Sequence, residues 1–113
     1  MDFQQAIRPF FYVEHENTAS ICLNVGGYKD ELFESREEEG FEGNGYDWGS
    51  LAFVFLAEKM PELLGKIAFD PEAGTFCAYS TDREAIKQFA LGFKAACEDD
   101  DVIYDLFQKA ELD

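Results

Sequence analysis

The fold is organised around residues 47–59, Asp47-Trp48-Gly49-Ser50-Leu51-Ala52-Phe53-Val54-Phe55-Leu56-Ala57-Glu58-Lys59. Counted from Trp48, large apolar side chains recur at the three- and four-residue spacing that is typical of an amphipathic helix. Phe53 and Val54 add apolar character to another side of this segment. We therefore predict a central helix over 47–60 that neighbouring elements cover on most sides.

A hairpin pattern lies on each side of this helix. Residues 8–15 are rich in aromatic side chains and suit a strand, and in residues 19–25 apolar side chains alternate with polar or small ones. A short polar turn at 16–18 separates the two strands. Residues 66–80 repeat the pattern around a turn at 71–74, which begins with Pro and ends with Gly. Two hairpins separated by a helix indicate one antiparallel sheet of about four strands.

Two further helices are predicted after the second hairpin, over 82–97 and 100–111. Thr81 and Glu84 have the spacing of a capping box before the first of them, and acid at 98–101 suits the positive end of the second. A short helical piece is predicted over 28–35. The predicted fold class is therefore α+β, with helices packed on one face of the sheet, in a single domain that takes in residues 1–113.

The chain carries a formal net charge of −15, because 24 acidic residues face only nine Lys and Arg. The acid gathers at 34–42 and again at 98–101. A small domain needs a net charge of only about 2 to 8 for solubility, and a larger excess destabilises the folded state by self-repulsion. A basic partner would explain the excess; solubility alone is the alternative. Nucleic acid and the anionic face of a membrane are not expected partners, because this surface would repel both.

The sequence also suggests a compartment. The first residues lack the basic and apolar regions of a signal peptide, and the longest apolar run, 51–57, is far shorter than the roughly 20 residues of a membrane span. The three cysteines, Cys22, Cys77 and Cys97, are odd in number and form no CxxC pair. We expect reduced, structural thiols in a cytoplasmic protein.

Catalytic chemistry is not indicated. His15 is the only histidine, and we expect it on the surface at the end of a strand. The chain has no zinc-protease, Ser/His/Asp, P-loop or dinucleotide-binding motif. The acid at 99–101 lacks the ligand spacing of an EF-hand and is expected to be structural or to face a partner. We therefore predict no catalytic residues, no metal site and no cofactor.

The most distinctive short motif leads into the central helix and runs Asn44-Gly45-Tyr46-Asp47-Trp48-Gly49-Ser50. Its structural interpretation makes Asp47 the helix N-cap and Trp48 a buried anchor. Its functional interpretation makes Phe41 and Tyr46 exposed aromatic anchors in a flexible glycine setting with an acidic rim. The predicted partner-binding residues are Glu37, Glu38, Glu39, Phe41, Glu42 and Tyr46.

Residues 43–48, together with the apolar helix after them, the hairpin at 66–80 and a helix after Asp82, resemble the Imm51 family of bacterial immunity proteins. The resemblance spans residues 8–110. It implies an α+β fold and a cytoplasmic antitoxin of a polymorphic toxin system, which binds and neutralises a cognate toxin. It supplies no catalytic residues.

Three functions are therefore weighed. The first is an immunity protein that covers a toxin domain, for example a basic nuclease, through its acidic surface. The second is a small enzyme or ligand-binding domain with a pocket between sheet and helices, although no convergent polar set indicates such a pocket. The third is an adaptor without a toxin. The sequence leaves the oligomeric state open.

Overall fold

The structure is a computed structural model that describes residues 2–112. Its helices and strands are α1 (Phe3–Ile7), β1 (Phe11–Glu14), β2 (Ala19–Asn24), α2 (Asp30–Glu34), α3 (Gly45–Lys59), β3 (Ala68–Phe69), β4 (Thr75–Ser80), α4 (Arg83–Glu98) and α5 (Asp100–Lys109), with short 3-10 turns at Glu37–Glu39 and Pro61–Leu63. Four antiparallel strands lie in the order β1-β2-β4-β3. The predicted α+β class is confirmed. The single domain stays a prediction, and its first and last residues, 1 and 113, lie outside the described part.

The two hairpins meet through their second strands. β2 and β4 pair along their whole length, from Ala19 opposite Ser80 to Asn24 opposite Thr75. Alternation then puts one set of apolar side chains on the face that α3 and α4 pack against. That set is buried and consists of Ile21, Leu23, Phe76 and Ala78.

The long helices begin where an acidic or amide side chain caps them, and two predicted caps were wrong. The side chain of Asn44, rather than that of Asp47, caps α3 by accepting from the Asp47 amide at 2.9 Å. The helix therefore begins two residues before the predicted start. Asp82, rather than Thr81, caps α4 through the Ala85 amide, and this hydrogen bond lowers the pKa of Asp82.

The buried apolar side chains form one cluster between the sheet and the helices. Trp48 is fully buried in this cluster, as predicted, and the rings of Phe10, Phe33 and Phe93 lie within 6 Å of its own. The apolar side chains at helical spacing from Ile86 to Cys97 in α4 are likewise buried, as are Ile103, Leu106 and Phe107 in α5, while Val102 is half-buried. The prediction that neighbouring elements cover α3 on most sides is wrong at Phe53, which is 56% exposed and points away from the cluster.

Helix α1 was not predicted, because its five residues are too few to show a periodic pattern. The Asp2 side chain caps it by accepting from the Gln5 amide at 2.9 Å. The side-chain amide of Gln4 then bonds both the N–H and the C=O of Tyr12 at 3.2 Å. Tyr12 lies in β1, an edge strand, so α1 blocks backbone groups that another chain could otherwise pair with.

The cysteines are free thiols in the structure. Cys22 and Cys77 are direct partners across β2 and β4, while Cys97 is buried in α4. Burial raises the pKa of the Cys22 thiol and of the Cys97 thiol to about 12, which suppresses the reactive thiolate.

We expect titration of the denatured, never-reduced protein with a thiol reagent to find three thiols. The neutral form of Cys22 limits its oxidation, although Cys77 lies directly opposite. Reduction before titration provides the control and should not raise the count. A count of one before reduction would show a disulfide and contradict the expectation.

Within residues 2–112, no helix has both the length and the apolar character that crossing a membrane requires.

Candidate protein-binding surface

The acidic segment, residues 34–42, connects α2 to the loop before α3. Its carboxylates project into solvent: Glu34, Glu37, Glu38, Glu39 and Glu42 are all exposed. A 3-10 turn at Glu37–Glu39 places three of them on successive residues of one tight turn. The structure therefore brings five exposed carboxylates together on a single surface segment, from the end of α2 to the loop before α3.

Arg36 is the one basic residue of this segment, and it fastens the segment to the end of α5. Its guanidinium donates to the backbone oxygens of Phe107 and, at 2.8 Å, of Ala110. It also holds Glu39 with two hydrogen bonds, at 2.7 and 2.9 Å. These bonds lower the pKa of Glu39 and raise the pKa of Arg36. One arginine thus fixes both the loop and one of its carboxylates.

Phe41 is not the exposed anchor that the sequence predicted, because it is only 3% exposed. The Arg36 guanidinium carbon lies 4.5 Å from the centre of the Phe41 ring, and that ring packs against Phe107 with 4.9 Å between centroids. Both contacts turn the ring inward. Phe41 supports the acidic segment from beneath and presents no ring to a partner.

The glycine-rich loop after the acidic segment is pinned by close contacts, so the predicted flexible setting was wrong. The buried carboxylate of Asp47 accepts from the amides of Glu42 and Gly43 at 2.7 and 2.8 Å. Gly45 lies against the 72–75 turn so closely that a Cβ would stand 1.8 Å from the Glu72 carbonyl oxygen. A side chain at position 45 is therefore excluded by backbone, and the loop is held in one shape.

Tyr46 is 41% exposed, as the functional interpretation required. It lies at the start of α3 beside a surface depression of about 570 Å³. We call this depression the α3 groove; its apolar lining consists of Tyr46, Phe53, Val54, Phe69, Pro71 and Leu112. The groove was not predicted, but the apolar character of α3 on more than one side was the signal that could have found it.

Two acids of the 98–101 cluster make contacts within the protein. Asp99 caps α5 by accepting from the Val102 amide, and Asp100 pairs with Lys29 at 3.5 Å. His15 is exposed at the end of the first strand pair, as expected. In residues 2–112, no group of three or more His, Cys, Asp or Glu side chains is arranged to hold a metal ion.

The positive charge of the chain is mostly engaged. Six of its nine basic side chains pair with carboxylates, namely Lys29, Arg36, Lys66, Arg83, Lys94 and Lys109. The surface field is therefore dominated by unpaired acid. Such a surface attracts a basic protein over a distance and repels anionic polymers.

Comparison with protein families places the chain in the class of immunity proteins. The model of the Imm51 family, described as Immunity protein 51, matches residues 10–112, so the chain belongs to this family. Comparison with curated proteins and with solved structures gives no match. An immunity protein has, in general terms, a toxin as its partner.

Proposed function

We propose that the protein is a cytoplasmic antitoxin of a polymorphic toxin system. It binds a basic cognate toxin and covers the surface through which the toxin acts. The observation that carries this proposal is a net charge of −15 in a chain of an immunity-protein family. A nuclease is a fitting class of toxin, since a site that holds nucleic acid is itself basic. The protein acts by binding and needs no catalytic group, metal or cofactor of its own.

The binding surface in this proposal includes the acidic segment and Tyr46. The exposed carboxylates of Glu37, Glu38, Glu39 and Glu42 would steer a basic toxin and select it against neutral proteins. Phe41, predicted at first as a direct contact, would act from below by holding the segment in place with Arg36. Because these contacts already hold the segment in the free protein, little ordering of the loop would be needed on binding.

The alternative, a ligand pocket between sheet and helices, has little in its favour. The apolar side chains of the inner sheet face and of the helices pack together there and fill the space. The α3 groove lies instead on the outer side of α3, where the exposed ring of Phe53 faces solvent.

The test is surface plasmon resonance against the inactivated toxin domain encoded beside this gene. We expect the triple variant Glu37→Gln, Glu38→Gln, Glu42→Gln to associate roughly tenfold more slowly at low salt. High salt should shrink the difference, because screening acts on the same attraction. Glu39 stays unchanged because its bond to Arg36 holds the loop.

A matched control removes the same charge elsewhere, with Glu16→Gln, Glu62→Gln and Glu84→Gln, three exposed residues outside the acidic segment. We expect this control to slow association much less. Equal slowing by both triple variants would show that only net charge matters and would contradict a role of the acidic segment.

A further inference from the structure

Three of the most exposed large apolar side chains in the described chain meet at the α3 groove. Phe53 is 56% exposed, Leu112 is 48% exposed and Tyr46 is exposed beside them. Single exposed apolar side chains are normal on a protein surface. A cluster that lines one depression is different, because a contiguous apolar patch with a polar rim is typical of an interaction site.

The groove and the acidic segment form one continuous surface. The side chain of Leu112 lies beside Gly40, where an added Cβ would come within 3.1 Å of Leu112 Cδ1. At the start of α3, the Asn44 side chain donates to the Glu42 carboxylate at 3.1 Å, two residues before Tyr46. The apolar floor therefore begins where the acidic segment ends.

The charge around the groove is also negative. Glu111 lines it, and Glu72 follows the lining residue Pro71. The one cation in the lining, Lys109, is bound by Glu58 at 2.8 Å and by Asp105 at 3.4 Å. An apolar floor with an acidic rim is complementary to an apolar side chain that projects from a basic surface.

We propose that the α3 groove receives an apolar side chain from the basic face of the cognate toxin, and that Phe53 is the central contact. This inference rests on the proposed function and adds which part of the surface makes the close apolar contact with the toxin. Charge decides the occupant: a second copy of this chain would bring the same acidic rim against this one, and an anionic lipid surface would be repelled as well. The acidic segment governs association, while the groove governs dissociation.

The test compares Phe53→Ser with Leu91→Ser by surface plasmon resonance on the same inactivated toxin domain. Both residues lie inside long helices, and Leu91 is 47% exposed on α4, so each substitution removes a large apolar side chain from a similarly exposed helical position. We expect Phe53→Ser to dissociate at least roughly tenfold faster, with the association rate little changed. Leu91→Ser should bind like the parent, and thermal unfolding should show both variants folded.

The outcomes separate this inference from the proposed function. If the parent neither binds the toxin domain nor protects cells from it, the proposed function fails. If the parent binds and Phe53→Ser dissociates no faster, the proposed function stands and the groove inference is overturned. Size-exclusion chromatography of the free protein completes the test: a dimer that Phe53→Ser converts to a monomer would show a second copy in the groove and would also overturn the inference.

Discussion

Trp48→Ala should lower the free energy of unfolding by about 3–5 kcal/mol, the range for removal of a large aromatic side chain from a core. Trp48 is fully buried and its ring meets those of Phe10, Phe33, Tyr28 and Phe93. These rings come from separate parts of the chain, so they cannot all close on the space that the indole leaves. The cavity therefore adds to the lost burial of the indole itself.

Urea unfolding followed by circular dichroism measures this loss. Phe53→Ala is the matched control, because it removes an aromatic ring from the same helix at an exposed position. The control should cost less than about 1 kcal/mol. A loss below about 1 kcal/mol for Trp48→Ala as well would show that the cluster does not depend on the indole and would contradict the described core.

The sequence predicted the hairpins and long helices because each has a local signal. Alternation in 19–24 and the stripe from Ile86 to Cys97 each follow from neighbours in the chain. The caps were harder, since Asn44 and Asp47 are both good caps and sequence alone does not say which amide each will meet. In the structure, the Asn44 side chain accepts from the Asp47 amide and caps the helix, whereas the Asp47 carboxylate accepts from the Gly43 amide in the preceding loop.

The candidate surface was only half predictable. Charge density is visible in the sequence, so the exposed glutamates of the acidic segment were identified correctly as surface residues. The direction of an aromatic ring is not local: Phe41 is buried by Phe107, which lies 66 residues further along the chain, and by Arg36. The prediction that neighbouring elements cover α3 on most sides was wrong at Phe53, because the sequence does not show which side of an apolar helix those elements leave exposed.

Arg36 contacts both the end of a helix and the buried ring of Phe41, and its side chain therefore fixes the position of the acidic segment. Its guanidinium donates to two carbonyl oxygens at the end of α5, that of Ala110 and that of Phe107, which also accepts from the Ala110 amide. It also lies 4.5 and 5.1 Å from the ring centres of Phe41 and Phe107. A planar guanidinium can stack on rings and donate in its own plane at the same time, which an ammonium group cannot.

We therefore expect Arg36→Ala to lower the free energy of unfolding by about 3–4 kcal/mol, from lost charged hydrogen bonds and lost cation–π contact. Arg36→Lys keeps the charge without the fork and should recover less than half of the loss. Lys59→Ala, at an exposed basic position on α3, is the control and should change stability by less than about 0.5 kcal/mol. Urea unfolding at neutral pH measures all three variants.

The pH dependence gives this prediction a second readout. Arg36 lowers the pKa of Glu39 in the folded protein, so the stabilisation from this pair is present above the unfolded pKa of Glu39 and is lost as pH falls through the folded one. The gap in stability between parent and Arg36→Ala should therefore narrow in acid, while the Lys59→Ala gap stays constant. A gap of the same size at neutral and acid pH would show that the ion pair adds nothing and that Arg36 acts through the carbonyl groups and rings alone. If Arg36→Lys were as stable as the parent, the several planar N–H donors of the guanidinium would not be needed. The acidic segment would then have to be held by other contacts for its carboxylates to face a partner.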